Sequence, residues 1–169
     1  MKVLTLVRHA KSSWDYPELS DFERPLNERG RKDATRLSAR IAAAGPRPDR
    51  LISSPALRAI TTAHAFALAF ELPREAIVLN PHIYEASVQT LLHVVRSLDR
   101  KDEDVMLFGH NPGLTRLART LAQCSFDEMP TCAVARIELD VKIWCDVAPH
   151  CGRLTRYECP KQGAIKLPA

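Results

Sequence analysis

The chain has 169 residues, 46% hydrophobic and 26% charged, with a formal net charge of +4. This suits one globular domain over residues 1–169 with a sizeable core, and no apolar stretch approaches membrane-spanning length. The weak positive balance fits an anionic substrate and is too small to argue for nucleic acid.

The first element is "VLTLV", residues 3–7, a β-rich run that ends abruptly in Arg8 and His9. Residues 15–25 are polar, contain Pro17 and Pro25 and read as a loop, with Trp14 expected to pack beneath it. Asn27 is a good N-cap for a helix through residue 44, closed by Gly45 and Pro46. Ala34, Leu37, Ile41 and Ala44 give it an apolar face. "RLIS" is the next strand; a helix to residue 70 follows, with Ser54 as N-cap and Pro55 at its first position. "AIVLN" is a third strand, residues 87–99 a helix, "DVMLFGH" a fourth strand, and residues 112–122 a helix opened by "NPG". "TCAVARIELD", "KIWCDV" and "RLTRYEC" then read as antiparallel strands or hairpin pieces. The tail "KQGAIKLPA" gives no sign of packing or hanging free.

The five cysteines are Cys124, Cys132, Cys145, Cys151 and Cys159. Their number is odd, and the N-terminal run, broken by Arg8, lacks the long apolar core of a secretory leader. A cytoplasmic protein with reduced thiols is expected. Cys145, His150, Cys151 and Cys159 do not have the usual zinc-ligand spacing, and Cys132, Cys145 and Cys159 fall in strand-like segments. No metal or cofactor is expected.

Alternating strands and helices predict an α/β fold with a largely parallel sheet covered on both faces. Ligands bind such sheets at the carboxyl ends of the strands. Arg8 and His9 follow the first strand, Gly109 and His110 end the fourth, and Arg58 lies in the first turn of the helix after the second. A lone histidine after a strand is ordinarily a satisfied turn residue. A lone arginine in a first helical turn is ordinarily solvated and slightly unfavourable there. Two of each, converging on one sheet edge, fit a phosphoryl group instead, because arginine forks pair with its oxygens. Neutral imidazole adds a nucleophile that works near pH 7. Glu85, after the third strand, is a candidate general acid or a surface glutamate capping the next helix.

Together, "LVRHAKSSW", "RPLNERG", "SSPALRA" and "GHNP" resemble the histidine phosphatase superfamily, and most of all its short SixA-like branch of phosphohistidine phosphatases. The resemblance implies a three-layer α/β/α sandwich of phosphoglycerate mutase-like type, its central sheet mostly parallel with some antiparallel strands near the C-terminus. It makes His9 the transiently phosphorylated nucleophile, Arg8, Arg58 and His110 the rest of the phosphate pocket, and Glu85 the proton donor. Many relatives carry Gly after the nucleophile, where this chain has Ala10. Larger relatives insert a helical cap after the third strand, for which residues 80–88 leave no room. Lys11 and Ser12 are candidate donors to phosphate or substrate, whereas Ser13 reads as part of a polar loop.

The expected activity is metal-independent phosphate removal through a phosphohistidine on His9, from phosphohistidine or other phosphoprotein groups. A P–N bond breaks readily once the imidazole nitrogen is protonated, so a weak general acid costs such a reaction little. The alternatives are a phosphatase of small metabolites, such as sugar phosphates or nucleotides, and a phosphate-binding module without turnover. A mutase fits less well, since it must shield its intermediate from water. The expected partner is a phosphorylated protein or small phosphorylated substrate, with no nucleic acid or membrane, and the protein is expected to be a monomer.

Overall fold

The computed structural model describes residues 1–161; the tail from residue 162 lies outside the described residues. Six strands form one sheet: β1 (Lys2–Arg8), β2 (Arg50–Ser53), β3 (Ile77–Leu79), β4 (Asp104–Gly109), β5 (Val134–Leu139) and β6 (Gly152–Glu158). The helices are α1 (Glu28–Ala43), α2 (Leu57–Ala69), α3 (Val88–Arg96) and α4 (Gly113–Leu121). Sheet order is β3-β2-β4-β1-β5-β6. The β3–β2, β2–β4 and β4–β1 pairs are parallel. β5 and β6 extend the sheet antiparallel. This is the mixed α/β sheet, parallel in most of its pairs, that the alternation of elements predicts.

Period-two alternation assigns the two faces of the sheet. Leu4 and Leu6, Val105 and Leu107, Ala135 and Ile137 face Leu91, Val95, Leu114 and Leu117 of α3 and α4. Val7, Met106, Phe108 and Val134 face Leu37 and Ile41 of α1 and Phe66 of α2. The strands are therefore buried on both sides, and their carboxyl edge is where loops meet solvent. A single 3-10 turn, Pro81–Ile83, lies between β3 and α3, so no helical cap covers that edge. No described helix is long and apolar enough to cross a membrane.

Three expectations need correction. "KIWCDV" is not a strand: Trp144–Asp146 forms a 3-10 turn. Trp144 and Val147 are buried, a three-residue spacing that a turn satisfies and a pleated strand does not. The Trp144 indole N–H donates to the Asp102 carbonyl at 2.8 Å. Second, Ser54 does not cap α2, whose N-cap is Ala56 with no side-chain cap. Third, Trp14 does not pack beneath its loop; it is 73% exposed. None of the five cysteines is joined in a disulfide. Cys132 and Cys159 flank β5 and β6 rather than lying within them, and Cys145 is exposed in the 3-10 turn.

Candidate active site

His9 is held by backbone continuation of β1 beyond its last residue. Its N–H donates to the Gly109 carbonyl at 3.1 Å, and its carbonyl accepts from Cys132 N at 3.0 Å. The next amide, Ala10 N, donates to Thr62 Oγ1 of α2 at 3.0 Å. Gly30 of α1 lies so close that a Cβ there would overlap the Lys11 carbonyl. The glycine of "RPLNERG" thus lets α1 press against the segment following His9.

His9 Nδ1 lies 2.8 Å from the Ala10 carbonyl. A carbonyl only accepts, so Nδ1 carries the proton and Nε2 keeps its lone pair. Arg58 Nε donates to that Nε2 at 3.3 Å. The His110 ring centroid is 5.2 Å from that of His9, and its Nε2 lies 2.7 Å from Ser54 Oγ. Ser54 Oγ therefore serves the site while also accepting from Ala56 N at 3.3 Å, in the turn just before α2 begins at Leu57 with Arg58 in its first turn. Arg8 donates from Nη1 to the Met129 carbonyl at 2.7 Å and to Glu128 at 3.3 Å. Arg8 Nε and His110 Nδ1 are buried with no hydrogen-bond partner among the described residues.

Burial disfavours the charged imidazoles. It is the main reason the His9 pKa falls to about 3; positive neighbours His110, Arg58 and Arg8 add to it, and the Ala10 carbonyl opposes it. His110 falls to about 4, chiefly through burial and then the charge of Arg58. Both rings are neutral near pH 7.

The structure brings Arg8, His9, Arg58 and His110 to one edge of the sheet. It does not bring Glu85 into that cluster by any bond: Glu85 is exposed, with φ of 50°, and Ser87 caps α3 instead. Lys11 is exposed and lines a separate cleft with Arg29, Thr131 and Lys161. The Ser12 hydroxyl is buried and accepts from Arg24 Nη2.

Asp21 is the residue that sequence reading missed. Its carbonyl accepts from Arg58 Nη1, and its Oδ2 accepts from Arg58 Nη2 at 2.9 Å and from the Tyr84 hydroxyl at 2.8 Å. Partial burial pushes its carboxyl pKa up, but the bonds from Tyr84 and Arg58 outweigh that and hold it below the ordinary value. A signal was available: Ser20 and Glu23 form a capping box around the 3-10 turn Asp21–Glu23, with Glu23 accepting from Ser20 N and Oγ. That pattern would have marked an ordered turn within a polar loop.

Paired histidines and arginines at the carboxyl edge of a doubly covered sheet define an α/β protein equipped to hold an anion. The sequence profile of the histidine phosphatase superfamily (branch 1) matches residues 4–89. An uncharacterized chloroplastic protein of Arabidopsis thaliana is 30% identical over 149 residues, 83% of this chain and 68% of that protein. A crystal structure from Agrobacterium tumefaciens, described as that of a phosphohistidine phosphatase SixA, superposes with a TM-score of 0.78 at 28% identity. The match covers 94% of this chain and 98% of that one. A mycobacterial glucosyl-3-phosphoglycerate phosphatase shares the fold, with a TM-score of 0.63 at 15% identity over 92% of this chain and 98% of that one. The chain belongs to the histidine phosphatase superfamily, and phosphatase activity is what that membership supports.

Proposed function

We propose that the protein is a phosphatase working through a phosphohistidine on His9, with phosphohistidine or another phosphoprotein group as substrate. The observation that carries the reading is the state of His9: a neutral ring, its Nδ1 proton held by Ala10 and its Nε2 lone pair beside the Arg58 guanidinium. In the first step Nε2 attacks phosphorus, the P–N bond to His9 forms, and the bond to the leaving group breaks, its electron pair going to the leaving atom, which takes a proton from Glu85 or from solvent. In the second step water attacks phosphorus, the P–N bond returns its pair to Nε2, and phosphate departs. Arg8, Arg58 and His110 stabilise charge on the phosphoryl oxygens. The unpartnered Arg8 Nε favours an arriving acceptor, since a buried donor left unpaired is costly, and His110 Nδ1 joins it in the tautomer where Ser54 Oγ donates to Nε2.

Asp21 is a positioning residue in this scheme. Nε and Nη2 share one edge of the Arg58 guanidinium, so Asp21 on Nη2 orients Nε toward His9. A phosphoryl oxygen that takes up Nη2 competes with Asp21. Ser12 has a lesser part: it braces Arg24, which itself holds Asp21 through Nη1 at 3.1 Å. The open edge favours a protein-borne phosphoryl group over a small metabolite, since nothing covers a small ligand after β3. The likeness to SixA points the same way, whereas the fold shared with the mycobacterial enzyme keeps small phosphate esters as the second reading.

The test compares kcat/KM on phosphohistidine, phosphoserine and phosphotyrosine proteins and on small esters, in EDTA. Preference for phosphohistidine protein, and an acid-labile phosphoenzyme lost in His9→Ala, is the expected result. Label trapped on His110 or on a cysteine would overturn the assignment.

A further inference from the structure

The exposed aromatic residues of the described chain are not scattered. Trp14, Tyr16 and Phe22 are 73%, 49% and 40% exposed, and all three belong to the loop that carries Asp21. Leu57, exposed as well, immediately precedes Arg58. Isolated apolar residues on a surface need no explanation, but a cluster of them marks a binding surface.

Contacts run from this cluster into the pocket on two sides. On one side the Arg24 guanidinium lies 3.4 Å over the Trp14 ring, Arg24 Nη1 reaches Asp21 Oδ1 at 3.1 Å, and Asp21 holds Arg58 beside His9. On the other, Phe22 meets Tyr84 edge-on at 5.2 Å, and Tyr84 meets His110 edge-on at 5.5 Å. The loop is ordered as well as exposed: Ser12 bridges to Leu26, and Ser13 N donates to the Pro25 carbonyl at 2.8 Å. The aromatic side chains are therefore presented on a braced scaffold, which reduces the entropy lost when a partner settles on them.

We propose that Trp14, Tyr16, Phe22 and Leu57 form a docking strip for the polypeptide surface around the phosphorylated residue of a protein substrate. The proposal rests on the phosphatase reading above. Trp14 reaches the pocket through Arg24 and Asp21, Phe22 through Tyr84, and Leu57 adjoins Arg58, so a partner that covers them lies next to the phosphoryl group bound there. Trp and Tyr are among the side chains that anchor protein partners most effectively. The apolar rim and the charged pocket divide recognition: the pocket takes the phosphoryl group, and the strip takes apolar side chains of the partner beside it.

The test uses the full-length double variant Trp14→Ala/Tyr16→Ala, neither residue being part of the pocket. Three probes are compared: serum albumin phosphorylated on histidine with phosphoramidate, free phosphohistidine, and p-nitrophenyl phosphate. The expected result is a 10- to 100-fold loss of kcat/KM on the albumin, mainly in KM, with less than twofold change on both small substrates, and partial rescue by Trp14→Phe. Unchanged small-substrate rates show that the variant is folded. Equal losses on all three probes, or no loss on the albumin, would overturn the strip. So would a wild-type dimer that the variant converts to monomer with albumin turnover unaffected, since the strip would then cover a second copy of the chain. The phosphatase reading fails differently, through a wild-type protein that turns over none of the three.

Discussion

Keeping His9 neutral in the folded state makes stability depend on pH, and the substitution His9→Gln isolates that dependence. His9 is 8% exposed, and its pKa falls from 6.5 to about 3 on folding, mainly through burial. The folded chain thus binds fewer protons than the unfolded one below pH 6.5. The stability contributed by the neutral ring is complete above that pH and is lost as pH falls from 6.5 toward 3. At pH 5 the unfolded side chain is about 1.5 pH units below its pKa, which corresponds to roughly 2 kcal/mol at about 1.4 kcal/mol per unit. His110 titrates over a similar window, from 6.5 to about 4, and remains in the variant. Urea unfolding of wild type and variant at pH 7 and pH 5, in phosphate-free buffer so that no bound anion adds its own stabilisation, measures the difference. The wild type is expected to lose about 2 kcal/mol more than the variant between the two pH values. Parallel losses would show that His9 is solvated enough to protonate without cost, and the neutral-nucleophile argument would fall with it.

Asp21→Ala is expected to split binding from turnover. The Asp21 side chain is 46% exposed, so its pairing with Arg58 is worth only about 1 kcal/mol, and kcat on p-nitrophenyl phosphate should fall roughly fivefold to tenfold. Inhibition by inorganic phosphate should tighten in the same variant because a competitor for Arg58 Nη2 is gone; weaker inhibition would refute that competition. Gly30→Ala places a methyl group against the Lys11 carbonyl, and thermal unfolding should report a loss of about 1–3 kcal/mol together with reduced activity as the His9 segment shifts. Glu85→Gln should slow alkyl ester hydrolysis far more than phosphohistidine hydrolysis, since only the ester leaving group needs a strong acid; equal slowing on both substrates would count against a proton-donor role.

The sheet was legible because its signals are local and redundant. "VLTLV" and "DVMLFGH" are apolar runs of strand length ended by polar residues, and burial on both faces needs nothing more than that. Arg8, His9 and His110 were legible for the same reason: each is the residue at which a buried run stops. "KIWCDV" misled because Ile143, Trp144, Cys145 and Val147 make a short, mostly apolar run of strand length, while tertiary packing of Trp144 under the Asp102 carbonyl selects a turn. Ser54 misled in the opposite direction. Serine before Pro55 is a sound local cap signal, and its hydroxyl does accept from Ala56 N at 3.3 Å, but that turn is not continued as helix and α2 begins three residues later.

Asp21 was illegible for a reason that bears on how such a site evolves specificity. Its partners Arg58 and Tyr84 lie 37 and 63 residues away in sequence, so no local periodicity links them. The strands fix where His9 and His110 stand, because register within the sheet permits little else: Arg8 pairs with Gly109, and each histidine follows directly. The loop of residues 13–25 obeys no such register. It is braced at its base by the Ser12–Leu26 bridge, and the sheet register does not dictate the side chains its tip presents. His9, the proposed nucleophile, therefore resides where the sheet register fixes the chain. Asp21, which bonds Arg58, and the exposed Trp14 reside on the loop that the sheet register does not fix. Substrate preference can then shift through residues 13–25 with the His9 geometry left intact, and exchanging that loop between relatives should transfer preference among phosphoproteins without abolishing turnover of an aryl phosphate.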